Sequence, residues 1–152
     1  MPLIAKNKKA YYDYNILETF EAGIVLTGPE VKSIKNGQID LKGGFIALDN
    51  KSNCWLNNVY VAPYKPAALG PEYRTDKPRK LLLKKREINY LIGKLKIKGL
   101  TMIPLKVYTK GNLIKIEIGL AKGKKKWDKR EAIKKKEVEK KMRQQLKNSK
   151  YF

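Results

Sequence analysis

The sequence predicts a mostly β domain followed by a basic C-terminal tail, and three observations support this prediction. Short apolar segments are joined in pairs by turn residues, as in β-hairpins, and only two or three stretches have helical periodicity. The last 30 residues contain 13 of the 35 Lys and Arg residues. We therefore expect a folded body over residues 1–122 and a tail over residues 123–152.

The clearest strand signal is a run in which three isoleucines alternate with Lys115 and Glu117. Such alternation is typical of a strand with one buried face. The turn sequence 109–112 precedes this run and joins it to another apolar segment, which predicts a hairpin. A second hairpin is predicted around the turn 49–53. The predicted strands are 105–107, 114–118, 45–48, 54–56 and 59–61.

Helical periodicity occurs between the two hairpins. Apolar residues recur at i, i+3, i+4 and i+7 from Ile88, which predicts a helix over 83–98. A shorter helix is predicted to begin near Pro29 and to end at Gly37. Short strands at hairpin spacing with two to three flanking helices are typical of a small closed β-barrel of the oligonucleotide-binding (OB) kind. We expect Trp55 to pack against such a barrel rather than to bind a ligand.

The composition argues against several classes of protein. The chain has no histidine and a single cysteine, Cys54, which excludes a His-based triad, a His-ligated zinc, an internal disulfide and a thiolate cluster. Four carboxylates between residues 13 and 30 lack metal-binding spacing, and no phosphate-binding glycine motif is present. No apolar run approaches the ~20 residues that cross a bilayer. We therefore expect a cytoplasmic protein that is not an enzyme and needs no cofactor.

The charge divides between body and tail. With 35 basic and 14 acidic residues the net charge is +21, of which 22 − 10 = +12 lies in residues 1–122 and 13 − 4 = +9 in residues 123–152. So large a positive charge indicates a nucleic-acid partner. The tail has only a thin apolar row, at Val138, Met142 and Leu146, so we expect it to be disordered when free and helical when bound. A solvated tail that only aids solubility is the alternative.

Three basic clusters are candidates for contact with RNA. The first, over residues 6–14, interleaves lysines with three tyrosines, which suits loops with unpaired bases, although clustered tyrosines can equally fill a strand. The second includes Arg79 and Lys80 and continues at 84–86. The third, over 122–130, contains Trp127, whose indole we expect to stack on a base or to dock in a pocket.

Five stretches of the chain resemble one known family. They are NKKA (7–10), ETFEAGIVLTGPEVKSIKNG (18–37), RKLLLKKREI (79–88), IGKLKIKGLTMIPLKVY (92–108) and GLAKGKKKWDKRE (119–131). They are similar to small protein B (SmpB), the SsrA-binding protein family. The resemblance implies an OB barrel that binds the tRNA-like domain of transfer-messenger RNA (tmRNA). It also implies a role in trans-translation, in which the tail enters the decoding centre and empty mRNA channel of a stalled ribosome.

The resemblance also implies a set of RNA-binding residues. In the body they are Asn7, Lys8, Lys9, Tyr12, Glu21, Leu82 and Lys84. In the tail, the residues expected at the decoding centre are Gly123, Lys124, Lys125, Trp127, Asp128, Lys129 and Arg130. Asn7 could pair with a base edge, Glu21 could accept from an amine or a 2′-hydroxyl, and Leu82 could offer an apolar surface. The alternatives are a core position for Leu82 and an ion pair for Glu21.

This chain departs from the family pattern at two of these positions. After Ala10 the family commonly has Arg-His, whereas this chain has Tyr11 and Tyr12, and a tyrosine could stack and donate one hydrogen bond. Lys84 replaces a frequent histidine or asparagine. Whether Glu30 and Lys32 contact RNA or only pair with neighbouring side chains stays open.

The expected partners are tmRNA and the small-subunit ribosomal RNA, with the protein a monomer in its complex with tmRNA and no contact with a membrane. Two other classes fit the composition. One is a structural ribosomal protein whose tail lies permanently in ribosomal RNA. The other is a peripheral membrane protein with a basic amphipathic anchor. For an anchor of that kind the apolar row of the tail is thin.

Overall fold

The computed structural model describes residues 2–124, together with residues 137, 140 and 141, which are helical and exposed. Within 2–124 it contains nine strands and three α-helices. The strands are β1 (Leu3–Lys6), β2 (Tyr14–Ile24), β3 (Ile39–Asp40), β4 (Phe45–Leu48), β5 (Cys54–Asn57), β6 (Tyr60–Val61), β7 (Arg79–Leu82), β8 (Leu100–Lys110) and β9 (Leu113–Gly123). The helices are α1 (Lys8–Asp13), α2 (Gly28–Lys35) and α3 (Lys85–Lys94). The prediction of a mostly β protein is confirmed.

Seven of the strands form one large antiparallel sheet. Their order is β1-β8-β4-β5-β7-β2-β9, and β8 also pairs with β9. The long hairpin β8–β9 joins β2 through an extensive ladder, so these three strands form one continuous surface. The two short strands β3 and β6 pair separately.

The main core lies on one face of the strands, as period-two alternation requires. A smaller, separate cluster is formed by Ile103 and Leu105 of β8, Ala121 of β9 and Ala10 of α1. Ala22 of β2 pairs with Ile116 of β9, which pairs with Val107 of β8, and all three are buried. Helix α2 contributes the fully buried Ile34 to the same core. The neighbours of these residues along the three strands therefore point outward, and they form the surface described below.

Both predicted hairpins are confirmed as β4–β5 and β8–β9, and the predicted short helix is α2. The predicted helix over 83–98 is too long, because α3 covers only Lys85–Lys94. Before it, Leu81 and Leu82 pair with β2 as part of β7. After it, residues 95–99 form turns that reverse the chain into β8. Strand β2, which runs to 11 residues, was not predicted at all.

One buried ion pair joins β7 to α2. The Arg79 Nε donates to Glu30 Oε2 at 2.5 Å, and its Nη1 donates to the Val59 carbonyl at 2.9 Å. Burial opposes the charged form of Glu30, yet the bond from Arg79 and the bond from the Thr27 backbone together lower the pKa of that carboxyl. The prediction that Arg79 belongs to a surface basic cluster is therefore wrong. Glu30, whose role was open, is a structural partner of Arg79.

Candidate nucleic-acid interface

The outward faces of β2, β9 and β8 bring charged and aromatic side chains into rows. Glu21 of β2 is opposite Glu117 of β9, which is opposite Lys106 of β8. In the next row Gly23, Lys115 and Tyr108 follow one another across the same three strands. The buried residues between these positions fix the orientation, since successive side chains in a strand point to opposite faces.

Glu21 is held in place by two donors. The Tyr108 hydroxyl donates to Oε2 at 2.5 Å, and the Lys110 ammonium lies 3.3 Å from Oε1. The hydrogen bond from Tyr108, followed by that from Lys110, lowers the pKa of Glu21. Burial, together with the bond to Glu21, raises the pKa of Tyr108. The result is an exposed carboxylate that stays ionised and oriented, and that keeps lone pairs for further donors.

Leu82 lies beside this carboxylate on the same outer face. It pairs with Gly23 at the end of β7 and is 54% exposed, so the alternative of a core position is wrong. A Cβ on Gly23 would lie 3.4 Å from Leu82 Cβ and 3.7 Å from Lys115 Nζ. The glycine therefore lets an apolar side chain and an ammonium group approach each other over bare backbone.

We call the surface formed by Glu21, Leu82, Tyr108, Lys110 and Lys115 the outer patch. It combines one fixed acceptor, one apolar surface, one phenol and two cations. Lys84 is exposed two residues beyond Leu82, where its backbone N–H donates to the Glu87 carboxylate at 3.1 Å and so starts α3. The two body residues Glu21 and Leu82, which lie 61 positions apart in the sequence, are thus brought together by the strand order.

Asn7 has a different setting from the other predicted residues. It is buried, its Oδ1 accepts from the Ala10 backbone at 3.2 Å, and it caps the start of α1. Its Nδ2 donates to the carbonyls of Pro104 at 2.9 Å and Leu41 at 3.3 Å. Asn7 thereby anchors the start of α1 to β8 through Pro104 and to the segment after β3 through Leu41. The contact of Asn7 with a base edge stays a prediction. Within the fold, the hydrogen bonds of Asn7 hold the start of α1 in place.

The remaining predicted body residues lie on α1, next to the root of the tail. Lys8 and Lys9 are exposed and Tyr12 is partly buried. Gly123 pairs with Tyr14 at the end of α1, and the Lys124 backbone N–H donates to the Asp13 carbonyl at 2.9 Å. The Lys124 ammonium also donates to the Tyr11 carbonyl at 3.3 Å.

We call Lys8, Lys9, Tyr12, Gly123 and Lys124 the α1 patch. Tyr14, which directly follows α1, is seven positions from Glu21 along β2. At ~3.3 Å per residue the two patches are roughly 23 Å apart along the strand. The predicted RNA-binding residues thus form two groups at opposite ends of β2. The predicted tail residues Lys125, Trp127, Asp128, Lys129 and Arg130 lie outside the described residues.

Sequence reasoning missed Tyr108, Lys110 and Lys115. The alternation that places the isoleucines of β9 inward also places Lys115 outward, and the hairpin register places Tyr108 opposite it. The outward position of Lys115 and Tyr108 could therefore be predicted from the sequence. The contact between Tyr108 and Glu21 could not, because it depends on β2 pairing with β9.

Comparison with known proteins agrees with the five stretches of resemblance. The model of the family described as "SmpB protein" matches residues 4–148. The chain belongs to the SmpB family. The SsrA-binding protein of Persephonella marina (strain DSM 14350 / EX-H1) is 51% identical over 145 residues, covering 95% of this chain and 94% of that protein. The SsrA-binding protein of Enterococcus faecalis (strain ATCC 700802 / V583) is 50% identical over 149 residues, covering 97% and 94%.

A solved SmpB-family structure has the same fold. It is described as "tmRNA-SmpB: a journey to the center of the bacterial ribosome" and matches with a TM-score of 0.65 and 41% identity, over 88% of this chain and 95% of that one. Within the part of the chain that the structure describes, no helix is long and apolar enough to span a membrane.

Proposed function

We propose that the protein binds the tRNA-like domain of tmRNA, delivers it to stalled ribosomes and supports trans-translation there, without catalysing a reaction itself. The family membership and the relatives that are SsrA-binding proteins support this function. The observation that favours it most in the structure is the outer patch, where Glu21 and Leu82 are exposed side by side between cations. RNA loops are recognised by such mixtures of acceptors, apolar surfaces and positive charge.

In this proposal the outer patch binds the body of the tRNA-like domain. The ionised Glu21 accepts from an exocyclic amine or a 2′-hydroxyl, and Leu82 packs against a sugar or base. Lys110, Lys115 and Lys84 neutralise phosphates around them. The ion pair of Glu21 with Lys110, expected as the alternative to RNA contact, serves the same end because it fixes the carboxylate before RNA arrives.

We further propose that the large sheet is a closed barrel of the OB kind. The pairings support closure, since β8 pairs with β4 on one side and with β9 on the other. Following the ladders from β8 through β4, β5, β7, β2 and β9 returns to β8. A rigid barrel would hold the outer patch and the α1 patch in constant relation to each other.

The tail is proposed to contact the small-subunit ribosomal RNA at the decoding centre and in the empty mRNA channel. The +9 charge of residues 123–152 and the position of the tail root at the end of α1, where the Lys124 N–H donates to the Asp13 carbonyl, support this division of roles. In this scheme Lys125, Trp127, Asp128, Lys129 and Arg130 act with Gly123 and Lys124 in the ribosome, whereas the body alone binds tmRNA. The protein would act in the cytoplasm as a monomer in complex with tmRNA.

A truncation tests this division. Deletion of 125–152 retains the bonds of Gly123 and Lys124 to α1 and β2, so the body should keep its fold. We expect gel-shift affinity for the isolated tRNA-like domain to remain within about threefold of the full-length protein, while peptide tagging on ribosomes stalled in a reconstituted translation system is lost. Loss of affinity and tagging together would contradict separate roles for body and tail.

A point variant tests the outer patch itself. Glu21→Ala should weaken binding of the tRNA-like domain by about tenfold or more, because a charge-assisted hydrogen bond contributes about 1.5–3 kcal/mol. The matched control is Glu72→Ala, since Glu72 is exposed in the loop before β7. Thermal melts of both variants establish that the fold is retained. Equal affinities for the two variants would refute the assignment of Glu21.

A further inference from the structure

We propose that Trp55 is a stacking platform for an unpaired base of the bound RNA and extends the outer patch onto the β4–β5 hairpin. The proposal rests on the proposed function, because it assumes that the outer patch faces RNA. It replaces the expectation that Trp55 only packs against the barrel. The observations that favour it are the register of β5 with β7, the exposed pocket around the indole, and the charges beside it.

The register places Trp55 on the outer face of the sheet. Its neighbours Cys54 and Leu56 are buried, so the side chain between them points away from the core. Trp55 pairs with Lys80 of β7, which is two residues from Leu82 on the same face. Diagonal neighbours on one face of paired strands lie about 7–8 Å apart, within reach of an aromatic ring. The register therefore places Trp55 one diagonal position from Leu82, at the edge of the outer patch.

The indole lies in a shallow pocket that has room for a flat ligand. The pocket has a volume of about 570 Å³ and is lined by Trp55, Ala47, Leu48, Asp49, Asn57 and Pro78. This volume falls within the range of small-molecule sites. Apart from Asp49 and Asn57 the lining is apolar, which suits the face of a base more than a phosphate.

The ring is held in one orientation by Asp49. The indole Nε1 donates to Asp49 Oδ2 at 2.9 Å, while Oδ1 accepts from the backbones of Lys51 and Asn53. The bond from Trp55 and that from the Asn53 backbone lower the pKa of Asp49 to about 2. The ionised carboxylate orients the indole through its bond with Nε1, and it keeps its negative charge because all three donors are neutral. Asp49 is a positioning residue in this arrangement.

The surroundings favour RNA as the occupant. Lys80 is directly opposite Trp55, and Val25, whose backbone N–H donates to the Lys80 carbonyl at 2.9 Å, is 51% exposed beyond it. The surface thus alternates an aromatic ring, a cation and apolar side chains, and it continues into Leu82 and Lys115. Aromatic platforms beside cations are the arrangement that binds unpaired bases, because rings stack on bases while cations neutralise the backbone.

Affinity measurements with three variants test the platform. Trp55→Ala should weaken binding of the tRNA-like domain about 5- to 150-fold, the range measured when single stacking rings are removed. Trp55→Phe keeps a ring and should stay within about threefold of the wild type. Tyr60→Ala removes an aromatic that is 47% exposed on the separate β3–β6 sheet, and it should have no effect. Thermal melts report whether each variant folds.

Fluorescence gives a readout that a structural role of Trp55 would not change. Stacking on a base quenches indole emission, so the wild type should lose emission when the tRNA-like domain is added. Trp55→Phe should still bind the tRNA-like domain, but the part of the quenching that comes from Trp55 should be absent. This comparison decides the question even if Trp55→Ala does not fold.

The possible failures are distinguishable. If the wild type does not bind the tRNA-like domain, the proposed function fails. If the wild type binds and Glu21→Ala weakens it, but Trp55→Ala binds equally well or the quenching is unchanged in Trp55→Phe, only the platform is overturned. Intact RNA affinity with reduced tagging for Trp55→Ala would also overturn it, and would instead assign this surface to a contact on the ribosome.

Discussion

Two adjacent basic residues of β7, Arg79 and Lys80, test whether one supports the fold while the other contacts RNA. Arg79 is 2% exposed and pairs with Glu30, whereas Lys80 points outward opposite Trp55. Both were expected to belong to one surface cluster. Replacing each by methionine removes one positive charge and keeps a long side chain. Arg79→Met should therefore lower stability with little change in the electrostatic part of RNA binding. Lys80→Met should weaken the electrostatic part of RNA binding with little change in stability.

The size of the stability change follows from what Arg79 contacts. Removing it leaves the Glu30 carboxylate buried, with Lys77 at 3.4 Å as its remaining cation, and takes a donor from the buried carbonyl of Val59. Breaking a buried ion pair in this way costs about 3–5 kcal/mol. At ~2–4 °C per kcal/mol for a chain of this size, Tm should fall by roughly 6–20 °C. Lys80→Met should change stability by about 0.5 kcal/mol or less.

The effect of Arg79→Met should depend on pH with a definite sign. The folded-state pKa of Glu30 is lowered, so the pair stabilises the wild type above the unfolded-state pKa of about 4.3, and this contribution is lost as the pH falls through the folded-state pKa. The difference in free energy of unfolding between wild type and Arg79→Met should therefore be largest near neutral pH and should decrease as the pH falls. The double variant Arg79→Met, Glu30→Met should recover part of the loss at pH 7, because no buried charge remains unpaired.

Urea unfolding and salt-dependent RNA binding measure the two consequences separately. The slope of log Kobs against log salt should become shallower by about 0.7–0.9 for Lys80→Met and stay unchanged for folded Arg79→Met. The reasoning would be refuted if Arg79→Met unfolds at the same urea concentration as the wild type. It would equally be refuted if the salt slope changes for Arg79→Met and not for Lys80→Met.

Four further predictions follow from other contacts. Tyr108→Phe removes the shorter bond to Glu21, so the Glu21 pKa followed by NMR should rise and RNA affinity should fall about 3- to 10-fold; an unchanged pKa would contradict the bond. Gly44→Ala places a Cβ 2.5 Å from a buried valine methyl and should cost about 1–3 kcal/mol in urea unfolding. A Cβ on Gly93 in α3 would meet nothing within 4 Å, so Gly93→Ala should raise the free energy of unfolding by about 0.5–1 kcal/mol. If Gly93→Ala were less stable than Gly44→Ala, this description of the packing would be contradicted. Burial raises the pKa of Cys54 to about 11, so iodoacetamide at pH 8 should label it only on unfolding, and rapid labelling of the native protein would contradict its burial.

The elements that the sequence predicted correctly are those specified by local signals. The β8–β9 and β4–β5 hairpins have alternating side chains and turn residues within a few positions of each other. Helix α2 has Thr27 as its cap, a capping box with Glu30, and Pro29 in its first turn. Such signals act over one turn or one hairpin, so they can be read without the rest of the chain.

Strand β2 shows why other elements could not be predicted. Its register with β9 shifts between Ile16 and Glu18, so the alternation of inward and outward residues changes phase within the strand. Gly23 further weakens the strand signal near its end, although it makes room there for Leu82 and Lys115. A period-two pattern with a change of phase does not stand out in a single sequence. Only the ladders to β9 and β7 reveal this strand.

The sequence by itself determined the charge division, the hairpins and the residues that resemble the SmpB family, because composition, turn chemistry and motifs are local properties. Only the tertiary structure decided which basic residues face outward, since Arg79 and Lys80 are neighbours in sequence and lie on opposite faces of one strand. It also decided that Glu21, Leu82 and Tyr108 share a surface, whereas Asn7 supports α1 at the far end of β2. Those outcomes depend on strand order and register, which arise from pairing between residues far apart in the chain.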